Sequence, residues 1–155
     1  FEQNALLKAA AICERTGLAA FADDSGLCID ALNGEPGVYT ARYGAELLGA
    51  GATDDSRMDL VLKRLEGVPK ERRTARFVSA ICCVFPEGKR LTCRGECEGY
   101  IGFSKAGTEG FGYDPIFYVG ERSFAQMSGG EKDAISHRGK AMRRFREELA
   151  GFLKQ

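Results

Sequence analysis

Asp23 and Asp24 stand side by side after the apolar run from Leu18 to Ala22, and Ser25 and Gly26 follow them. Two carboxylates displayed where a strand ends suit a divalent cation that arrives with phosphate, because Mg²⁺ takes one or two carboxylates and completes its shell with water and substrate oxygens. The same residues also make an ordinary solvated turn. A second segment runs Gly107-Thr108-Glu109-Gly110-Phe111-Gly112-Tyr113-Asp114-Pro115. Its glycines let backbone approach a ligand, Phe111 offers a flat face to a base, and Asp114 offers acceptors to a base edge. A glycine-rich loop with core aromatics would read the same way. A third segment, Glu131 to Lys140, sets the only histidine, His137, among Lys132, Arg138 and Lys140 near a helix start. His137 and Arg138 can donate to the keto oxygen of a 6-oxopurine, where adenine presents an amine instead. A charged, solvated helix turn is the plain alternative. Lys8 and Arg42 are further cations that can meet phosphate; Arg42 sits in a loop between Tyr39 and Tyr43.

These residues need elements to hold them. Phe1, Ala5, Ala9, Ile12 and Cys13 recur at helical spacing, and Gly17 stands where a helix C-cap belongs. A short strand to Ala22, a turn at Asp23 to Gly26 and a second strand over Leu27 to Ala31 follow. Thr53 or Asp54 caps a helix with Met58, Val61, Leu62 and Leu65 on its apolar face, closed by Gly67. Ala75 to Phe85 and a strand from Arg90 read as a hairpin turned at Pro86 to Lys89. Another strand covers Ile116 to Val119. Ser136 caps a last helix that carries Met142, Phe145, Leu149, Phe152 and Leu153 on one face. Helices interleaved with strands and one hairpin define an α/β chain with a mixed sheet.

The 155 residues suit a single domain, and 22 basic residues balance 22 acidic ones. A nucleic-acid polymer is not the expected partner, since its phosphates call for a basic excess. No apolar run reaches bilayer length, so no membrane contact is expected. The six cysteines include the adjacent pair Cys82 and Cys83, which a strand would point to opposite faces. Cys13, Cys28, Cys93 and Cys97 form no zinc-like pair of pairs. Reduced, buried thiols in a cytoplasmic protein are expected.

Taken in order, these stretches resemble the inosine/xanthosine triphosphate pyrophosphatase family. The matching residues are 1–9 (FEQNALLKA), 22–27 (ADDSGL), 37–43 (GVYTARY), 110–117 (GFGYDPIF), and Glu131-Lys132 with Ser136-His137-Arg138-Gly139. The resemblance implies an elongated α/β fold around a long mixed β-sheet flanked by helices, with two lobes and a central nucleotide cleft, usually as a homodimer. It implies Mg²⁺-dependent hydrolysis of ITP, dITP and XTP between the α- and β-phosphates, giving a monophosphate and pyrophosphate. Asp24 would be the proton acceptor and a metal ligand. Ser25, Phe111, Gly112, Tyr113, Asp114, Lys132, His137 and Arg138 would bind substrate, together with Lys8 and Arg42.

The family's first strand, its Ser/Thr-x-Asn-x-x-Lys phosphate loop and a further metal-site glutamate would precede Phe1. The expectation is therefore one pyrophosphatase domain over 1–155 in a sequence whose beginning is not shown. Two rival readings follow: a related pyrophosphatase for modified pyrimidine nucleotides, and a nucleotide-binding module without turnover.

Overall fold

The computed structural model describes residues 1–154. Among the described residues, five α-helices and five strands alternate with short 3-10 turns: α1 (Glu2–Thr16), β1 (Ala20–Ile29), α2 (Ala45–Leu48), α3 (Asp54–Arg64), β2 (Thr74–Val84), β3 (Arg90–Ile101), β4 (Phe117–Val119), β5 (Arg122–Ser123), α4 (Gly129–Ile135) and α5 (His137–Phe152). The sheet order is β1-β2-β3-β4-β5, the order of the sequence. β3 and β4 pair antiparallel with Tyr100 opposite Tyr118, and β4 and β5 with Tyr118 opposite Ser123. The β2–β3 turn closes where the Phe85 N–H donates to the Lys89 carbonyl at 2.9 Å. The α/β class expected from the sequence is what the chain adopts.

The chain divides into two compact units. One comprises Phe1–Ser25, Val78–Cys97 and the chain from Ala134 onward; the other comprises Gly26–Phe77 and Glu98–Asp133.

In the first unit, strand alternation builds a separate core on each face of β2. Cys82 and Val84 join Ala20 and the α1 residues Ala5, Ala9 and Cys13. Ile81 and Cys83 turn the other way, to Cys93 and the α5 residues Ala141 and Phe145. Small residues on α1 let that helix lie close. Phe152 stacks on Phe85 at 5.2 Å between ring centroids. The apolar face expected of the last helix is only partly buried: Met142 is 40% exposed and Leu153 64%. At Gly95 a Cβ would overlap the His137 carbonyl and the Ala141 amide nitrogen, so only glycine lets β3 lie so close to the start of α5.

In the second unit, Phe77, Phe117 and Phe124 form an aromatic core with centroid separations of 4.5 to 5.7 Å. Thr53 caps α3 as expected and makes a capping box with Ser56, each side chain accepting the other's backbone N–H.

None of the six cysteines is in a disulfide, and five of them are buried. Burial, reinforced by the thiol's contact with the Glu148 carboxylate, pushes Cys93 up to about 11, which keeps it protonated and unreactive. Titration of freshly purified, denatured and unreduced protein should count six thiols; a count of four or fewer would contradict this account of the cysteines. Among the described residues, no helix is long and apolar enough to cross a membrane.

Candidate active site

Asp24 lies within β1, and α1 supplies its polar neighbours. Asn4 Nδ2 donates to Asp24 Oδ2 at 3.2 Å. Lys8 Nζ donates to the Asp23 carbonyl at 3.1 Å and lies 3.5 Å from Asp24 Oδ1. Residues four apart share a helix face, so α1 presents Asn4 and Lys8 together. The Asp24 side chain is 16% exposed and that of Lys8 is 55% exposed. One donor holds the carboxylate from the side, and a loosely placed ammonium lies next to it. Such a group can take a proton from a water molecule or ligate a cation. In the sequence, the only signal for Asn4 as a site residue is its four-residue spacing from Lys8.

The structure corrects one expectation here. No turn interrupts β1 at Asp23 to Gly26; the strand runs unbroken from Ala20 to Ile29. Pairing with β2 gives the backbone fixed partners that a turn would have to seek in water. The two carboxylates therefore do not act as a pair, because successive strand residues point to opposite faces. Asp24 goes to α1. Asp23 instead lines a pocket of about 250 Å³ with Phe21, Ser79, Ile81, Arg138 and Met142. Apolar walls with carboxylate, hydroxyl and guanidinium groups suit a flat ligand with a polar edge.

Ser25 and Arg138 meet at 3.4 Å, Nε to Oγ. Arg138 is the second residue of α5, whose N-cap Ser136 accepts the Gly139 N–H at 3.0 Å. His137 is buried, at 7% exposure. Lys132 does not share this helix. It belongs to the separate seven-residue α4, so the single helix start expected for Glu131 to Lys140 is two.

In the second unit, Lys132 and the 110–114 segment come together. Lys132 Nζ donates to Asp114 Oδ2 at 2.5 Å, and the same oxygen accepts the Phe111 N–H at 3.1 Å. The ammonium also lies 4.9 Å from the centre of the Phe111 ring. Phe111 is 61% exposed, which leaves its ring face accessible. Asp114, with a side chain only 5% exposed, holds its own loop. A Cβ at Gly110 would overlap that carboxylate. Tyr113 points inward and its hydroxyl donates to the Thr40 carbonyl at 2.7 Å. Burial pushes the phenol far above its ordinary value, so it stays a neutral donor. Thr40 Oγ1 accepts the Leu27 N–H at 2.9 Å. Gly112 contributes its N–H, which donates to Asp54. Arg42 lies over the Tyr39 ring at 5.0 Å and lines a pocket of about 630 Å³ with Glu35, Tyr43 and Arg64.

Among the described residues no group of three or more histidine, cysteine or acidic side chains is arranged to hold a metal by itself. Glu2 is engaged by Arg94 at 2.7 Å. Asp24 fits a cation of the kind that takes one protein carboxylate and draws its other ligands from phosphate and water.

An α/β chain with an isolated carboxylate beside a lysine in one unit, and an aromatic face beside a lysine–aspartate pair in the other, has the parts of a nucleotide-processing enzyme. The chain belongs to the Ham1 family, whose model matches residues 1–148. It is 46% identical over 153 residues to a dITP/XTP pyrophosphatase of Bacillus cereus, covering 96% of this chain and 73% of that protein. It is 47% identical to the dITP/XTP pyrophosphatase of Symbiobacterium thermophilum, covering 100% of this chain and 76% of that protein. The Staphylococcus aureus Ham1 protein superposes with a TM-score of 0.90 at 39% identity, over 97% of this chain and 77% of that one. The resemblance seen in the sequence therefore holds across nearly the whole chain.

Proposed function

We propose that the protein hydrolyses the non-canonical purine nucleoside triphosphates ITP, dITP and XTP to the monophosphate and pyrophosphate. The observation that carries this reading is the Asp24 carboxylate, held by Asn4 and flanked by Lys8 in a chain of the Ham1 family. Asp24 takes the proton of the attacking water, and Lys8 offsets charge on the phosphates. Mg²⁺, bound through Asp24 and substrate oxygens, would supply Lewis-acid polarisation of the phosphoryl group. Phe111 supplies a stacking face, and Lys132 lies against it. Asp114 and Tyr113 keep their loop in place. His137 and Arg138 supply donors for a keto oxygen, and Ser25 steadies Arg138. Arg42 is a further phosphate contact. Thiols outside any disulfide support a reducing, cytoplasmic setting, and the homodimer implied by the resemblance is checked by sedimentation.

Base choice provides the test. A keto group at the purine 6-position accepts from Arg138, whereas adenine's amine leaves both sides unsatisfied, at about 1–3 kcal/mol for each mismatch. The protein should prefer ITP or XTP over ATP by about two orders of magnitude or more in kcat/KM. Arg138→Ala should reduce ITP turnover much more than ATP turnover and compress that ratio; Lys8→Ala should reduce both alike. Steady-state pyrophosphate release from ITP, XTP, GTP and ATP checks this. An unchanged ITP/ATP ratio in Arg138→Ala would place base selection elsewhere. Nucleotide binding without pyrophosphate release would favour a module without turnover.

A further inference from the structure

The loop between β3 and the turn at Asp114 carries the exposed ring of Phe111, yet it has no helix or strand of its own. Gly107, Gly110 and Gly112 all have positive φ, at 86°, 75° and 61°. A backbone built on such residues has many conformations open to it. The ring is 61% exposed, with the Lys132 ammonium beside it. Backbone bonds hold its middle: the Ala106 N–H donates to the Pro115 carbonyl at 2.9 Å and the Glu109 N–H to the Ala125 carbonyl at 3.0 Å.

The first turns of α3 add side-chain contacts near both ends. Lys105, at the start of the loop, places Nζ 2.6 Å from Asp55 Oδ1 and 2.7 Å from Asp59 Oδ1. Near the other end, the Gly112 N–H donates to Asp54 Oδ2 at 3.2 Å. Asp54 is itself oriented, because its other oxygen accepts from Arg57 Nη1 at 3.2 Å. The Arg57 side chain is only 17% exposed. The Thr53–Ser56 capping box fixes where the helix, and hence its carboxylates, begins. Asp114 accepts the Phe111 N–H and Lys132 flanks its ring; the α3 carboxylates hold the chain on either side of that contact.

We propose that Asp54, with Lys105 as its counterpart at the other end, is a positioning residue for nucleotide binding. It holds the Gly112 end of the 105–112 backbone so that Phe111 presents its face to the base, and it touches neither base nor phosphate. This rests on the function proposed above. Its effect falls on the free energy of binding, because an unheld loop must be ordered each time substrate arrives.

The test joins kinetics to amide exchange. Asp54→Ala should raise KM for ITP about fivefold to tenfold while kcat stays within about twofold, the pattern of lost binding shared by ground and transition states. Asp54→Asn keeps an acceptor for the Gly112 N–H and should recover most of the loss. In substrate-free protein, hydrogen exchange over 105–112 should be about tenfold faster in Asp54→Ala, and Lys105→Met should act in the same direction. Unchanged exchange in both variants would overturn the proposal, as would a fall in kcat at constant KM. Should Asp54→Ala unfold, Lys105→Met carries both measurements. Exchange is read without substrate, so a wild-type protein inactive on ITP would sink the proposed function and leave the loop result standing.

Discussion

Asp24→Asn is expected to lower kcat for ITP by more than about a hundredfold, the usual cost of losing acid–base help alone. The substitution removes the proton acceptor and, in the same atoms, the carboxylate proposed to ligate Mg²⁺. It should leave the fold in place. The contact between Lys8 and Asp24 is 3.5 Å long and the lysine side chain is 55% exposed, and such pairs contribute little to stability. Asn4 can still be met by the carbonyl of an asparagine. Pyrophosphate release and thermal melting on the same sample separate the two effects. A folded Asp24→Asn protein with wild-type turnover would remove this carboxylate from the mechanism.

Arg73→Leu is expected to do the opposite: to damage the fold first. Arg73 is 2% exposed. Its Nε donates to the Ile101 carbonyl and its Nη2 to the Gly102 carbonyl, both at 2.9 Å. Its Nη1 reaches the carbonyls of Leu65 at 2.9 Å and Val68 at 3.2 Å. The guanidinium lies over the Phe103 ring at 4.3 Å. One side chain thus ties the end of α3 to the end of β3, just before the loop that bears Phe111. Burial pulls its pKa below the ordinary arginine value, but the planar fork of five donors keeps the cation solvated by protein carbonyls. Leucine fills the volume and leaves those carbonyls without donors. A loss of about 3–5 kcal/mol follows, comparable to breaking a buried polar network. For a chain of this size that is a fall of roughly 6–20 °C in Tm. Arg73→Lys should fall between the two, since an ammonium cannot span four carbonyls. A Tm for Arg73→Leu within about 2 °C of wild type would show that the network contributes little.

Arg73 also shows where reading the sequence stops. It sits in Lys70-Glu71-Arg72-Arg73, which looks like a solvated charge run, and only the folded positions of Leu65 and Ile101 turn its donors inward. Local signals did better. The α1 spacing with Gly17, the Thr53 cap and the β2–β3 hairpin are set by period, caps and turns that lie within a few residues of one another. α4 also has a local signal. Ser128 and Glu131 form a reciprocal pair, each side chain accepting the other's backbone N–H, although Gly129 and Gly130 between them discourage a helix. β1 misled because two charges and a glycine inside a strand resemble a turn, and only the ladder to β2 overrides that preference. The site residues were legible as types. Their partners were not: Asn4 for Asp24, Asp54 for Gly112 and Thr40 for Tyr113 join segments distant in sequence.

The proposed reaction splits a non-canonical purine triphosphate between its α- and β-phosphates. The direct measurement is product identity when the protein is incubated with ITP and Mg²⁺. IMP and pyrophosphate should appear in equal amounts, with no accumulation of IDP, and omitting Mg²⁺ should stop both. IDP with orthophosphate, or ATP consumed as fast as ITP, would contradict the account.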